Sequence, residues 1–195
     1  YWTPPASMLV EPFAQVANAT SLPVYVHNAP EDMGGIKVIV DLAMKLIDRA
    51  DKYAGVIDSR LDWHFMLELV TESPIKRAGF QRICVNEYMV SAGAIGATGL
   101  VTTLASVAPK RVRALYEDCR ADRLTEAREA QEDIAALRQV LKPFGVAGLK
   151  AAAVHMGRDA GAPRPPLETL GANEAAALGT DIDRIAALSD EPRGW

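Results

Sequence analysis

The chain alternates between two spacings of apolar residues. Short uninterrupted apolar runs, which are typical of buried strands, are followed by segments in which apolar residues recur every three or four positions, as on one side of a helix. This alternation predicts βα units and therefore a parallel sheet. The predicted strands cover residues 22–27, 53–57, 80–85 and 98–103, and the helices between them cover residues 36–50, 63–71 and 88–94.

The later part of the chain has helical spacing only. Pro109 is expected to open a helix, because a proline in the first helical turn costs no hydrogen bond. After Leu124 an apolar stripe from Ala127 to Leu141 predicts a long helix, and further helices are predicted over residues 146–156 and 173–188. We therefore place a domain boundary after residue 122, with a helical extension over residues 123–195.

Composition narrows the function classes. The 195 residues are 49% hydrophobic and 24% charged, which is typical of a soluble globular domain. The net charge is −4 and the basic residues are scattered among acidic ones, so there is no basic face for nucleic acid. Cys84 and Cys119 lie far apart without metal-ligand spacing, which fits a reducing compartment. We expect a cytoplasmic protein that binds neither nucleic acid nor membrane.

Several short motifs occur in a recognisable order. Residues 22–30 read Leu-Pro-Val-Tyr-Val-His-Asn-Ala-Pro, and residues 53–62 contain Gly55, Asp58, Ser59 and Asp62 at informative spacing. Further motifs lie at residues 1–5 (Tyr-Trp-Thr-Pro-Pro), 96–101 (Gly-Ala-Thr-Gly-Leu-Val), 105–109 (Ala-Ser-Val-Ala-Pro), 148–152 (Gly-Leu-Lys-Ala-Ala) and 164–167 (Arg-Pro-Pro-Leu). Together these segments resemble the dihydrodipicolinate synthase and N-acetylneuraminate lyase family, also described as DapA-like.

The resemblance implies a fold and a position within it. Members of that family are α/β proteins with a (β/α)₈ TIM barrel, and the matched motifs correspond to about strands 5–8 followed by closing helices. Residues 1–122 would then be the second half of the barrel, and residues 123–195 a C-terminal helical extension packed on it. Tyr1 would lie where the fourth strand ends, so by usual barrel length we expect about a hundred residues before it. The resemblance also implies a homo-oligomer, a dimer or tetramer, and no cofactor.

The chemistry of the family depends on a lysine, and that position differs here. Class I aldolases condense this lysine with a 2-oxo acid, because the protonated imine is an electron sink. The resemblance places the lysine at Ile57, which has no nucleophile. It also places His27 at the tyrosine that relays protons, Trp2 at the second tyrosine of a pair, and Asp32 at an arginine that holds the substrate carboxylate. The usual imine mechanism is therefore not expected at this site.

Polar residues at the predicted strand ends supply the candidate site, since active sites of parallel barrels lie at the carboxyl ends of the strands. His27 is expected to give and take protons near neutral pH, with Asp58 or Glu87 as its partner. Ser59 has no histidine at motif distance and no nucleophile-elbow glycines, so we do not expect it to be a nucleophile. The predicted catalytic residues are His27, Asp58 and Glu87, and the predicted substrate-binding residues are Tyr1, Trp2, Asn28, Asn86 and Val101.

Two functional hypotheses remain open. The first is a divergent lyase that acts on a small 2-oxo acid or related carbonyl compound without a lysine imine. The second is a catalytically silent member that serves in binding or assembly. His27, Asp58 and Glu87 are also suitable ligands for a divalent ion, but nothing in their spacing demands one and no metal is predicted.

Overall fold

The computed structural model describes residues 4–194 except 33, 61 and 87. Contacts divide the chain into two compact units, the first ending at Val101 and the second beginning at Thr102. Each unit contains its own cluster of buried apolar side chains. The domain boundary placed after residue 122 stays a prediction, although the contacts group the helix before it with the later helices.

The described part of the first unit contains a sheet of four parallel strands in chain order. The strands are β1 (Val24–Asn28), β2 (Tyr53–Asp58), β3 (Gln81–Val85) and β4 (Gly99–Val101). All four predicted strands are thereby confirmed, with small shifts at their ends. In the register, His27 pairs with Ile57 and Ile57 pairs with Ile83, so these three residues form a row across neighbouring strands.

The last strand ends earlier than predicted. Residues 102 and 103 were included in the fourth strand, but the side chain of Thr102 accepts a 3.2 Å hydrogen bond from the backbone N–H of Leu104. This bond caps a short 3₁₀ helix, Thr103–Ser106, and the backbone therefore turns where extended structure was expected.

Helices α1 (Ala6–Asn18), α2 (Val40–Arg49), α3 (Trp63–Lys76) and α4 (Met89–Ala94) complete the first unit. Helix α1 was not predicted, and its residues Leu9, Val10 and Phe13 pack against the apolar cluster of that unit. Helix α2 begins four residues later than expected. Helix α3 begins where predicted, because the Asp62 carboxylate accepts from the backbone N–H of Phe65 at 3.0 Å.

The second unit is helical, as predicted for this part of the chain. Its helices are α5 (Pro109–Arg120), α6 (Leu124–Leu141), α7 (Gly145–His155) and α8 (Ala172–Asp183), with a 3₁₀ turn at Ala186–Leu188. The predicted helix over residues 173–188 is thus interrupted near its end. The apolar stripe of α6 is buried, and Ile134 and Leu137 belong to the core of this unit. Among the described residues, no helix is both long enough and apolar enough to cross a membrane.

Candidate active site

His27 and Ser59 lie next to each other where β1 and β2 end. The Nε2 atom of His27 is 2.6 Å from the Oγ atom of Ser59, although the two residues are 32 positions apart in sequence. The direction of this hydrogen bond depends on the tautomer of the imidazole. The His27 side chain is exposed and Ser59 is half-buried.

Asn28 and Asp58, the neighbours of this pair, are buried instead. Asn28 is 1% exposed and Asp58 is 3% exposed. The Asn28 side-chain amide donates 2.8 Å to Asp58 Oδ1 and 3.2 Å to the Val38 carbonyl, and its oxygen accepts from the Val38 N–H at 2.9 Å. The side chain of Asn28 is therefore engaged within the protein. These hydrogen bonds tie Asn28 to β2 and to the loop before α2, and its role as a substrate ligand stays a prediction.

The Asp58 carboxylate has a cationic partner on its own strand end. Arg60 Nε donates to Asp58 Oδ1 at 3.3 Å, and the Arg60 guanidinium stacks 4.5 Å from the centre of the Phe65 ring. Burial raises the pKa of Asp58 above its ordinary value, and the Arg60 charge and the hydrogen bonds from Arg60 and Asn28 partly oppose this shift. Asp58 is thus a carboxyl group held inside the protein.

The structure does not bring Asp58 and His27 together as an acid–base pair. Successive side chains of a strand point to opposite faces of the sheet. His27 is in register with Ile57, and Asn28 is in register with Asp58, so Asp58 shares the face of Asn28. The hydrogen-bond partner of His27 is Ser59. The sequence predicted Asp58 or Glu87, and not Ser59, as the partner of His27.

Asn86 and Val101 lie at the ends of the next two strands. The backbone N–H of Asn86 donates to the Val101 carbonyl at 2.9 Å, and Asn86 has a left-handed backbone with φ of 57°. Val101 is 48% exposed. These contacts put both residues at the same edge of the sheet as His27, where they were expected, and their role as substrate ligands stays a prediction.

Three of the predicted site residues, Tyr1, Trp2 and Glu87, lie outside the described residues. Within the part of the chain that the structure describes, no group of three His, Cys, Asp or Glu side chains is arranged to hold a metal ion. The set of His27, Asp58 and Glu87, whose side chains suit a divalent ion, includes Glu87, which lies outside the described residues. The described members, His27 and Asp58, belong to opposite faces of the sheet.

A cavity of about 430 Å³ lies at the opposite edge of the sheet, where β1, β2 and β3 begin. Arg77 lines it, but the Arg77 guanidinium donates to the carbonyls of Ile47, Ala50 and Tyr53 at 2.7, 3.1 and 2.5 Å. The guanidinium is therefore engaged by main-chain carbonyls, and Arg77 stabilises the backbone between α2 and β2. Because catalytic groups of parallel barrels gather at the carboxyl ends of the strands, the edge with His27 is the better candidate site.

Comparison with known sequences identifies the family. The sequence profile of the dihydrodipicolinate synthetase family matches residues 1–185. The chain belongs to the dihydrodipicolinate synthetase family. It is 32% identical over 191 residues to an uncharacterised DapA-like lyase of Halobacterium salinarum, with 96% of this chain and 60% of that protein covered. It is also 34% identical over 164 residues to a 4-hydroxy-tetrahydrodipicolinate synthase of Exiguobacterium sibiricum, with 82% and 53% covered.

Solved structures of the dihydrodipicolinate synthetase family share the fold. The dihydrodipicolinate synthase of Thermotoga maritima superposes with a TM-score of 0.83 at 20% identity, covering 95% of this chain and 63% of that one. The 2-keto-3-deoxygluconate aldolase of Sulfolobus sulfataricus, in complex with D-KDPG, gives a TM-score of 0.80 at 19% identity. The chain is therefore a partial barrel of the TIM-barrel class, and it spans 53–63% of the length of these relatives.

Proposed function

We propose that the protein is a lyase of the dihydrodipicolinate synthetase family that acts on a small 2-oxo acid or related carbonyl compound without a lysine imine. One observation carries this proposal. His27 is exposed at the carboxyl end of β1 and is in register with Ile57, the residue that stands where the resemblance places the imine-forming lysine. The site thus keeps a group that can transfer protons and has an aliphatic side chain in place of the amine.

The proposal assigns the strands and the residues. We take β1 to β4 as strands five to eight of the barrel and the later helices as its C-terminal extension. His27 acts as the general acid and base, and Asn86 and Val101 line the substrate-binding site. Asp58 holds the strand ends rather than exchanging protons, since its carboxylate is buried and bonded to Asn28 and Arg60. Glu87, predicted from its position at a strand end, stays a proposed proton-transfer partner of His27, and Tyr1 and Trp2 stay proposed substrate-binding residues.

The proposed reaction is the cleavage or formation of a bond next to a carbonyl group. In the cleavage direction, neutral His27 removes the proton from a hydroxyl group on the carbon β to the carbonyl. The carbon–carbon bond then breaks and an aldehyde leaves. The electron pair of the broken bond stays on the remaining fragment and forms an enolate. The imidazolium returns the proton to the enolate carbon. Addition is the reverse sequence, and no step requires an amine.

The first test separates this reaction from imine chemistry. The full chain is treated with pyruvate and borohydride, and its intact mass is measured before and after. We expect no adduct in the native protein. An Ile57→Lys variant is the matched control, because it restores an amine in register with His27 and should gain the mass of one reduced pyruvate. An adduct on the native protein would show that another lysine has taken over the reaction.

The second test addresses His27 directly. The native protein is screened with pyruvate and a panel of small aldehydes, and in reverse with 4-hydroxy-2-oxo acids. On any substrate that turns over, His27→Gln should lower the rate by about a hundredfold or more, which is the usual contribution of a general acid or base. His64→Gln is the control, because His64 is an exposed histidine on α3. Full turnover in the His27 variant would refute the assignment.

A catalytically silent binding or assembly subunit is the second candidate, and the isoleucine at position 57 favours it. In that case the protein should form a homo-oligomer or associate with an active relative. Analytical ultracentrifugation at micromolar concentration, together with mass spectrometry of co-purified proteins, tests this reading. A monomer without any partner would count against it, and turnover that depends on His27 would exclude it.

A further inference from the structure

The contact between Ser59 and His27 suggests chemistry that the lyase proposal does not use. A serine hydroxyl is a weak nucleophile unless an adjacent base accepts its proton, and hydrogen-bond reach for such a pair is about 2.6–3.2 Å. The distance from Ser59 Oγ to His27 Nε2 is 2.6 Å. With Nε2 unprotonated, the hydroxyl donates to the imidazole, and this is the arrangement in which a histidine activates a serine.

Two hydrogen bonds between the ends of β1 and β2 hold this pair in place. The backbone N–H of Ser59 donates to the Asn28 carbonyl at 3.1 Å, so the chain just beyond β2 is tied to the end of β1. The Asn28 side-chain amide also donates to Asp58 Oδ1 at 2.8 Å. Asn28 follows His27 in sequence, and Asp58 precedes Ser59. The serine and the histidine are therefore positioned before any ligand binds, which reduces the entropic cost of reaction.

The surroundings of the pair indicate the kind of acyl group that would fit. Ile57 is in register with His27 and Ile83 is in register with Ile57, so an aliphatic row lies on the face of the sheet that carries the imidazole. The aliphatic row favours an apolar acyl group beside the Ser59–His27 pair.

We propose that Ser59 is an acyl-accepting nucleophile activated by His27, and that this pair hydrolyses esters of small, uncharged, apolar acids. Ser59 Oγ forms a bond to the acyl carbon while its proton moves to His27 Nε2. The ester C–O bond breaks, and the imidazolium gives the proton to the departing alkoxide. Water then attacks the acyl-serine with His27 as the base, which releases the carboxylic acid and restores the Ser59 hydroxyl.

This activity does not rest on the proposed lyase reaction, although both use His27. The two proposals have separate readouts, because the lyase is scored by turnover of carbonyl compounds and the nucleophile by covalent modification at position 59. If no carbonyl compound turns over, the lyase proposal fails, and labelling of Ser59 can still be observed. If Ser59 is not labelled, the nucleophile proposal fails, and lyase turnover can still be measured.

The test is covalent labelling of the folded full chain. The native protein is incubated with an alkyl fluorophosphonate and, separately, with p-nitrophenyl acetate, and the modified residue is located by peptide mass mapping. We expect one label at Ser59, abolished by Ser59→Ala and slowed about a hundredfold by His27→Gln. Ser21→Ala is the matched control, since Ser21 is an exposed serine before β1, and its labelling should equal that of the native protein.

Thermal unfolding of each variant checks that it is folded before labelling is compared. If Ser59→Ala does not fold, the mapping of the native protein still decides the question, because it names the modified residue. A folded native protein without a label at Ser59 would overturn the proposal. Labelling at Ser59 that proceeds at the same rate in folded His27→Gln would overturn it as well, because the serine would not then be activated by the histidine.

Discussion

The side-chain amide of Asn28 donates a 2.8 Å hydrogen bond to the carboxylate of Asp58, and this bond joins the carboxyl ends of β1 and β2. Both side chains are buried, and Arg60 supplies the positive charge that compensates the carboxylate. The arrangement stabilises the edge of the sheet on the face opposite His27. The strand ends that carry the candidate site are therefore joined by a buried polar network on the face of the sheet opposite His27.

Removal of the Asp58 carboxylate should destabilise the first unit strongly. In Asp58→Ala, the largely buried Arg60 would keep, of its described ion pairs, only the 3.5 Å pair with Asp62. Asn28 would lose an acceptor, so we expect a loss of about 3 kcal/mol, at the lower end of the cost of breaking a buried pair. Lys45→Ala is the control, because it removes an exposed i,i+4 ion pair with Asp41 that contributes about 0.5 kcal/mol or less. Urea unfolding monitored by circular dichroism measures both. Equal losses in the two variants would show that the Asp58 network does not stabilise the fold.

The same network should make stability depend on pH in a defined direction. Burial raises the pKa of Asp58 in the folded protein above its unfolded value, so the folded state favours the protonated form. The contribution of Asp58 to stability is therefore largest below its unfolded pKa and is lost as pH rises through the folded pKa. In Asp58→Asn the side chain cannot titrate. The unfolding free energy of the native protein minus that of this variant should decrease as pH rises from the acid range towards neutrality, and an increase would contradict the assigned shift.

The spacing of apolar residues was sufficient to predict the parallel strands and most helices, because burial on one or two faces leaves a periodic trace in the sequence. Helix α1 was missed. The end of β4 was also misplaced, since the Thr102 side chain favours a capped turn over an extended chain. Local hydrogen bonds of this kind change element ends without altering the apolar pattern.

The position of His27 near the end of a strand could be predicted for a different reason, while its role stays a prediction. Residues at strand ends can be located from the sequence, and His27 was located in this way. The contact between His27 and Ser59 could not be predicted from motif spacing, because it depends on the register of two strands. The register also places Asp58 on the same face as Asn28. Asp58 is therefore near the end of its strand, as His27 is, but its carboxylate lies on the opposite face of the sheet. A strand register fixes both outcomes, and the sequence alone does not reveal it.

Gly55 should be intolerant of a side chain. An added Cβ at this position in β2 would lie 2.5 Å from the Gln81 carbonyl oxygen and 2.9 Å from Tyr25 Cδ1, and a backbone oxygen in the next strand cannot move aside easily. We expect Gly55→Ala to lose about 1–3 kcal/mol through overpacking. Gly99→Ala is the matched control in β4, because its nearest contact would be Ile83 Cγ1 at 3.4 Å. Its unfolding free energy should stay within about 0.5 kcal/mol of the native value. Similar losses in the two alanine variants would contradict the predicted clash.

Glu191 should stabilise the second unit by capping α5. Its carboxylate accepts from the backbone N–H of Lys110 at 3.0 Å and of Arg111 at 2.6 Å, and the residue is 6% exposed. The first N–H groups of a helix have no partner within the helix, and a carboxylate there also interacts favourably with the helix dipole. Glu191→Ala should therefore cost about 1–2 kcal/mol, and Glu191→Gln should cost less because one acceptor remains.

The neighbouring carboxylate provides the control for this effect. Asp190 forms an exposed ion pair with the Lys110 side chain and makes no described contact with the backbone of α5. Differential scanning calorimetry of Asp190→Ala should give an unfolding temperature close to the native one, because water and salt screen an exposed pair. If the two alanine variants lowered the unfolding temperature equally, general loss of negative charge would explain the result. A decrease confined to the Glu191 variants would identify the backbone N–H groups of α5 as the partners that matter.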